Sequence, residues 1–191
     1  MGASSSPPAW SFACDSVTNE GERNLADETS ETRRDPAGER GPVLVAVDFA
    51  PDSEAAMLWA CDYADCVDAA IVVLHVIHEP ADAPGYYRKE EADMLRPMDD
   101  VAVDMLDQFL DKVAKAHPGL EALGRAEKVL VKGIPATRIL EIAEAKGARL
   151  IVMGSRGRTG LPHLMLGSKA ERVVQMSPIP VTIVKADQND D

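Results

Sequence analysis

Two places in the sequence hold residues suited to gripping a phosphorylated ligand. One is Asp48, a carboxylate that follows the apolar run Val43-Leu44-Val45-Ala46-Val47. The other is the stretch Gly154 to Lys169, which reads GSRGRTGLPHLMLGSK. Gly154 and Gly157 lack a Cβ and tolerate positive φ, so backbone there comes close to a ligand. Gly167-Ser168 lies near a helix start, where unsatisfied N–H groups and the helix dipole favour an anion. Ser168 adds a hydroxyl donor. Arg156, Arg158 and Lys169 supply positive charge inside an acidic chain. Together these residues read as a polyphosphate cradle. From the glycines alone, a loop with solvated bases fits as well.

Competing phosphate and catalytic motifs are missing. The sequence contains no Gly-Lys pair, so G-x-x-x-x-G-K-[ST] is absent. The turn after the first apolar run is Asp48-Phe49-Ala50-Pro51-Asp52, with no G-x-G-x-x-G, which argues against a nicotinamide dehydrogenase. The four histidines (His75, His78, His117, His163) show no metal-ligand spacing. His75 sits within an apolar run and reads as a satisfied core residue. His163 lies between Gly157 and Gly167, where approach to a phosphate competes with a plain loop role. No Ser-His-Asp set is assignable.

Charge and composition narrow the partners. Lys plus Arg is 20 against 32 for Asp plus Glu, a net charge of -12. A general nucleic-acid binder needs cations to neutralise phosphates, and an anionic membrane surface needs them too. No apolar run reaches the roughly 18 residues of a transmembrane helix. Cys14, Cys61 and Cys66 form no disulfide framework and read as small packed hydrophobes. The N-terminus lacks a secretory h-region, so a reducing, cytoplasmic setting is expected.

The elements that position the candidate residues follow from periodicity. Residues 1–40 hold eight acids, four bases and few strong apolar residues, so a disordered tail is expected. Met1-Gly2 with Ser6 fits the myristoylation pattern M-G-x-x-x-[ST], which arises often by chance. From residue 41 to 187 one α/β domain is expected, with a flexible end at 188–191. Apolar runs at 43–47, 70–77, 126–131, 149–153 and 180–184 predict five strands. Helices are predicted from Pro51, with Asp52 or Ser53 as cap, and over 97–116, 135–146 and 164–176. Trp59 reads as core, and Asp99-Asp100 as a solvated helix start. A loop rich in Pro, Gly and Tyr fills about 80–96. Strands alternating with helices imply right-handed crossovers and a parallel sheet covered on both faces. Ligands in such sheets bind beyond the carboxyl ends of the strands.

The spacing Gly-x2-Gly-x9-Gly-Ser at Gly154, Gly157, Gly167 and Ser168 resembles the ATP-binding signature of the universal stress protein family. VLVAVDFAPDSEAA (Val43–Ala56), LHVI (Leu74–Ile77) and SPIPVTIVK (Ser177–Lys185) are similar to that family as well, so the resemblance covers residues 42–186. It implies a Rossmann-like five-stranded parallel sheet in the order 3-2-1-4-5 and an ATP-binding regulatory or sensor module in stress adaptation. Carried over by position, it puts Asp48 beside the ribose and inner phosphates, Val76 backbone at the adenine edge and Ala46 under the base. Gly154, Gly157, Gly167, Ser168 and Lys169 would wrap the triphosphate. Arg156 and Ser155 vary in the family.

Further expectations follow. Magnesium should bridge the phosphates, because hard oxygen ligands suit it. Hydrolysis should be slow or absent, since Ser168 has no predicted base beside it. A slow ATPase or adenylyl-transferring enzyme is the alternative, and a nucleotide-free interaction module a third reading. In the implied order, Pro180 to Lys185 is an edge strand, and two copies pairing there would form a homodimer. A downstream protein partner is expected but not identified.

Overall fold

The computed structural model describes residues 41–78, 87, 96–157 and 166–186. The expected tail, the end at 188–191, the loop at 80–86 and 88–95, Arg158 and His163 lie outside the described residues. Five strands form one parallel sheet: β1 (Val43–Ala46), β2 (Ile71–Ile77), β3 (Glu127–Lys132), β4 (Leu150–Gly154) and β5 (Val181–Val184), in the order β3-β2-β1-β4-β5. This is the order the resemblance implies. β1 and β2 are buried along their whole length, as near-continuous apolar runs require when helices cover both faces. β3 carries Glu127, Lys128 and Lys132 and lies at one edge; the four-residue β5 lies at the other.

The two faces have separate cores. One face packs α1 (Pro51–Val67), α2 (Met98–Ala116) and the short α3 (Glu121–Gly124) on Val43, Val45, Ile71, Val73 and Val152. The other packs α4 (Pro135–Ala145) and α5 (Ser168–Met176) on Leu44, Ala46, Leu74, Val76, Ile151 and Met153. Alternate residues of β1 thus serve opposite layers, as the two-residue side-chain period of a strand demands. Among the described residues, no helix is long and apolar enough to cross a membrane.

Several expectations need correction. α1 is capped by neither Asp52 nor Ser53. Its N-cap is Ala50, in extended backbone, and Pro51 occupies the first helical position, where its missing N–H costs nothing. Asp52 and Ser53 are thereby inside the first turn, with side chains committed elsewhere. α5 begins at Ser168, not Leu164: Gly167 is extended (φ -61°, ψ 140°) and its N–H donates to Ser155 O. α3 was not expected. Cys61 is buried, and burial, with Asp65 and Asp62 adding, pushes its thiol up to about 12, so it packs inertly. Cys66 is exposed, contrary to the packing expectation.

Other expectations hold. Trp59 packs against the α1-side core and stacks on Tyr63, with centroids 5.3 Å apart. Asp99 and Asp100 are exposed in the first turn of α2, and Asp99 pairs with Lys132 at 2.6 Å. His75 is 3% exposed and satisfied at both ring nitrogens. Its Nδ1 lies 2.8 Å from Val47 O and its Nε2 2.9 Å from Tyr87 Oη. A carbonyl only accepts, so in the neutral ring Nδ1 carries the proton and Tyr87 donates to Nε2. Tyr87 Oη in turn accepts the His78 N–H at 3.3 Å. Tyr87→Phe should therefore cost about 1–2 kcal/mol by chemical denaturation, the scale for leaving a buried polar group short of a partner. Wild-type stability would show that the network does not support the fold.

Candidate functional site

The carboxyl ends of β1 and β4 adjoin at the middle of the sheet, where Ala46 is level with Met153. Beyond β1, the turn to α1 is built around Asp48. Its N–H donates to Ser53 Oγ at 3.0 Å, and Ser53 Oγ donates back to Asp48 Oδ1 at 2.7 Å. Ala50 N–H donates to the same oxygen at 3.2 Å. Phe49, between them, has φ 65°, a left-handed conformation that costs a non-glycine residue roughly 1–2 kcal/mol. Its ring stacks on His75 at 4.2 Å and meets Phe109 at 5.7 Å, which holds the turn. Sequence reading found Asp48 but missed Ser53 as its partner. The five-residue spacing gave only a cap signal.

Gly154 and Gly157 have a different physical basis from the one expected. Neither has positive φ. A Cβ on Gly154 would lie 2.8 Å from Asp52 Cβ and 2.9 Å from Asp52 C, so this glycine makes room for the first turn of α1 rather than for a ligand. A Cβ on Gly157 would lie 3.0 Å from Asp48 Oδ2. Gly157 therefore does let the loop meet the Asp48 carboxylate. Gly167 closes on the same loop, its own Cβ position 3.3 Å from Ser155 O and 3.7 Å from Gly157 N.

Asp52 is the residue that sequence reading undervalued. It is 3% exposed. Its Oδ2 accepts from Ser155 Oγ at 2.6 Å, from Arg156 N–H at 3.0 Å and from Arg156 Nε at 3.3 Å. Its Oδ1 accepts from Arg156 Nη2 and from Ala186 N–H, each at 3.2 Å. Arg156, expected as a phosphate cation, is thus engaged with Asp52. No signal in the sequence links positions 104 residues apart. Burial by itself would push the Asp52 carboxyl up. The hydrogen bonds from Ser155, Arg156 and Ala186 and the guanidinium charge outweigh it and hold the group below the ordinary value of 3.8.

The remaining predicted residues fall into two sets around this centre. Ser168 and Lys169 open α5 and are exposed, and among the described residues no side chain caps that helix. Its first amides and Ser168 Oγ therefore remain suited to an anion. Ala46 and Val76 share the α4/α5 layer with Met153, and each is 7–9% exposed, forming an apolar wall at the strand ends. Among the described residues, no group of three or more His, Cys, Asp or Glu is arranged to hold a metal ion.

The family model for the universal stress proteins matches residues 39–185. The chain belongs to the universal stress protein family. It is 33% identical over 150 residues to the universal stress protein YxiE of Bacillus subtilis, covering 75% of this chain and 97% of that one. It is 44% identical over 78 residues to the universal stress protein MJ0531 of Methanocaldococcus jannaschii, a match spanning 46% of that protein. The chain thus spans only about half the length of some curated relatives it matches. Among solved structures, that of MJ0577 aligns with a TM-score of 0.57 at 27% identity, covering 78% of this chain and 99% of that one. The same fold recurs in a universal stress protein in complex with cAMP (TM-score 0.52, 21% identity, 77% and 98% coverage). It recurs again in the Archaeoglobus fulgidus protein in complex with dAMP (TM-score 0.52, 24% identity, 76% and 98% coverage).

The Asp52 web gives this universal stress protein domain an acid-sensitive joint. A depressed carboxyl contributes stability that is complete above its unfolded pKa and lost as pH falls through the folded one. The contribution is present at neutral pH and fades below 3.8. Asp62, pushed up by burial and by Asp65, pulls the other way, so the comparison with a variant isolates Asp52. Asp52→Asn should cost about 1.5–3 kcal/mol near neutral pH, the scale of hydrogen bonds to a charged group. In denaturation curves near pH 3 the gap should narrow. A gap that is constant with pH would contradict this account.

Proposed function

We propose that this domain binds ATP, with magnesium bridging the phosphates, and acts as a regulatory or sensor module in stress adaptation with little or no catalysis. The observation that carries this reading is the convergence of Asp48 Oδ2, Gly157, Gly167 and the uncapped start of α5 at the carboxyl end of β4. Glycine positions keep side chains out of the space where these groups meet, and amides and a hydroxyl border it. Ala46, Val76 and Met153 share an apolar layer at the carboxyl ends of β1, β2 and β4, a surface that suits a base. Family relatives solved with cAMP and dAMP agree with an adenine nucleotide. Asp48 Oδ1 is occupied in holding the β1–α1 turn, which supports a binding duty over a catalytic one.

Titration calorimetry with ATP, with and without magnesium, tests the reading on nucleotide-stripped protein. Binding should be tighter with the metal. Gly157→Val should reduce affinity at least tenfold, because its branched side chain would push on Asp48 Oδ2 and fill the gap. No heat at millimolar ATP from folded wild-type protein would overturn the proposal.

Assembly follows from the sheet edge, and we propose a homodimer through residues 180–185. Ile151 N–H donates to Pro180 O and Ser155 N–H to Val184 O, so the even-numbered residues of β5 face β4. Val181 and Ile183 consequently turn their backbone groups outward, where a second copy could pair antiparallel. Ile183 also packs on the α5-side core, which makes a charged replacement ambiguous. Ile183→Pro removes the outward N–H and spares the β4 ladder. Sedimentation equilibrium should show a wild-type dimer and a monomeric variant with native circular dichroism. A wild-type monomer at tens of micromolar, in the full chain and in one beginning at Gly41, would refute edge pairing.

A further inference from the structure

We propose that Asp52 is a positioning residue for the nucleotide, acting through Ser155 and Arg156 to set the path of the loop that meets the phosphates. The proposal rests on the adenine-nucleotide reading above. An acidic residue in the first turn of a helix ordinarily faces water and favours the dipole. Asp52 instead is 3% exposed and points across to the end of β4. One guanidinium would suffice to offset its charge. The carboxylate also takes the Arg156 N–H and the Ser155 hydroxyl, and these two bonds specify backbone path rather than charge balance.

The consequences run directly to the site. Ser155 O accepts the Gly167 N–H at 2.9 Å, so fixing Ser155 fixes the entry to α5. Arg156 precedes Gly157, whose position against Asp48 Oδ2 leaves little slack. Ala186 N–H on Oδ1, and Ser155 N–H on Val184 O at 2.7 Å, tie the same loop to the end of β5. The absent Cβ of Gly154 admits Asp52 to this position. Arg156 is committed as well. A phosphate that drew it away would leave a buried carboxylate short of its main partner, which is strongly unfavourable. The phosphates are therefore left to backbone amides, Ser168, Lys169 and a cation, with Arg156 holding the loop beneath them.

The test compares wild type, Asp52→Asn and the milder Ser155→Ala by two measurements, at a temperature where circular dichroism shows each fully folded. Calorimetry with magnesium and ATP should give about tenfold weaker binding for Asp52→Asn and a smaller loss for Ser155→Ala. Hydrogen exchange without nucleotide should quicken at the amides of Arg156, Gly157 and Gly167 by clearly more than in the core strands β1 and β2, whose exchange follows only the overall loss of stability. Should Asp52→Asn fail to fold, Ser155→Ala alone decides by the same two readouts. Equal ATP affinity in folded variants would reduce Asp52 to a support of the fold and overturn the proposal. Exchange at Arg156 and Gly157 that quickens no more than in β1 and β2 would overturn it whether or not nucleotide binds. Absence of ATP binding by wild type with quickened loop exchange would overturn the nucleotide reading, and with it the positioning role, while leaving the loop tether intact.

Discussion

A carboxylate taken almost wholly out of water must be supplied with donors, or the burial costs several kcal/mol. Asp52 meets that demand by drawing three distant segments to one point: the first turn of α1, the loop after β4 and the chain leaving β5. The demand is stringent because Gly154 leaves no Cβ to fill the space, so the turn of α1 sits hard against the end of β4. The loop that carries Gly157 and the entry to α5 take their places from this joint.

The opposite side of the β1–α1 turn is held by different forces. His75, buried in β2, accepts a hydrogen bond from Tyr87 and donates one to Val47 O, the carbonyl just before Asp48. Phe49 stacks on that ring in a backbone conformation unfavourable for any residue with a Cβ. Such strain persists only where packing over-determines it, and here the packing fixes the direction of the neighbouring Asp48. The site is thus pinned by an ionic web on the β4 side and by an aromatic stack on the β2 side.

Electrostatics give the arrangement a direction. The chain carries a net charge of -12, and the site residue Asp48 adds an anion where phosphate is proposed to lie. Arg156 is already engaged by Asp52. On the proposed reading, a phosphorylated ligand would then depend on amides, a hydroxyl, Lys169 and a bridging cation rather than on Arg156. This is the situation in which a hard divalent metal brought with the nucleotide has most to contribute.

Much of the fold was legible in the residues. Apolar runs alternating with amphipathic segments determined five parallel strands covered on both faces, because a buried strand must be apolar throughout and a parallel neighbour requires a crossover. His75 as a core residue and Asp48 at a strand end followed from position alone. The motif glycines were visible too, but their physical duties were not. The glycine pattern points to a ligand at Gly154, but the space there is filled by Asp52. The spacing points to Asp52 or Ser53 as a cap, since local spacing carries only local signals. The charge of Arg156 points to a phosphate, since sequence shows a charge but not what neutralises it. The sequence by itself determined the periodicities, the strand ends and the family resemblance. Only the tertiary structure decided the Asp52–Arg156 pair, because a bond between positions 104 residues apart arises from how α1 packs on β4, and no period along the chain encodes it.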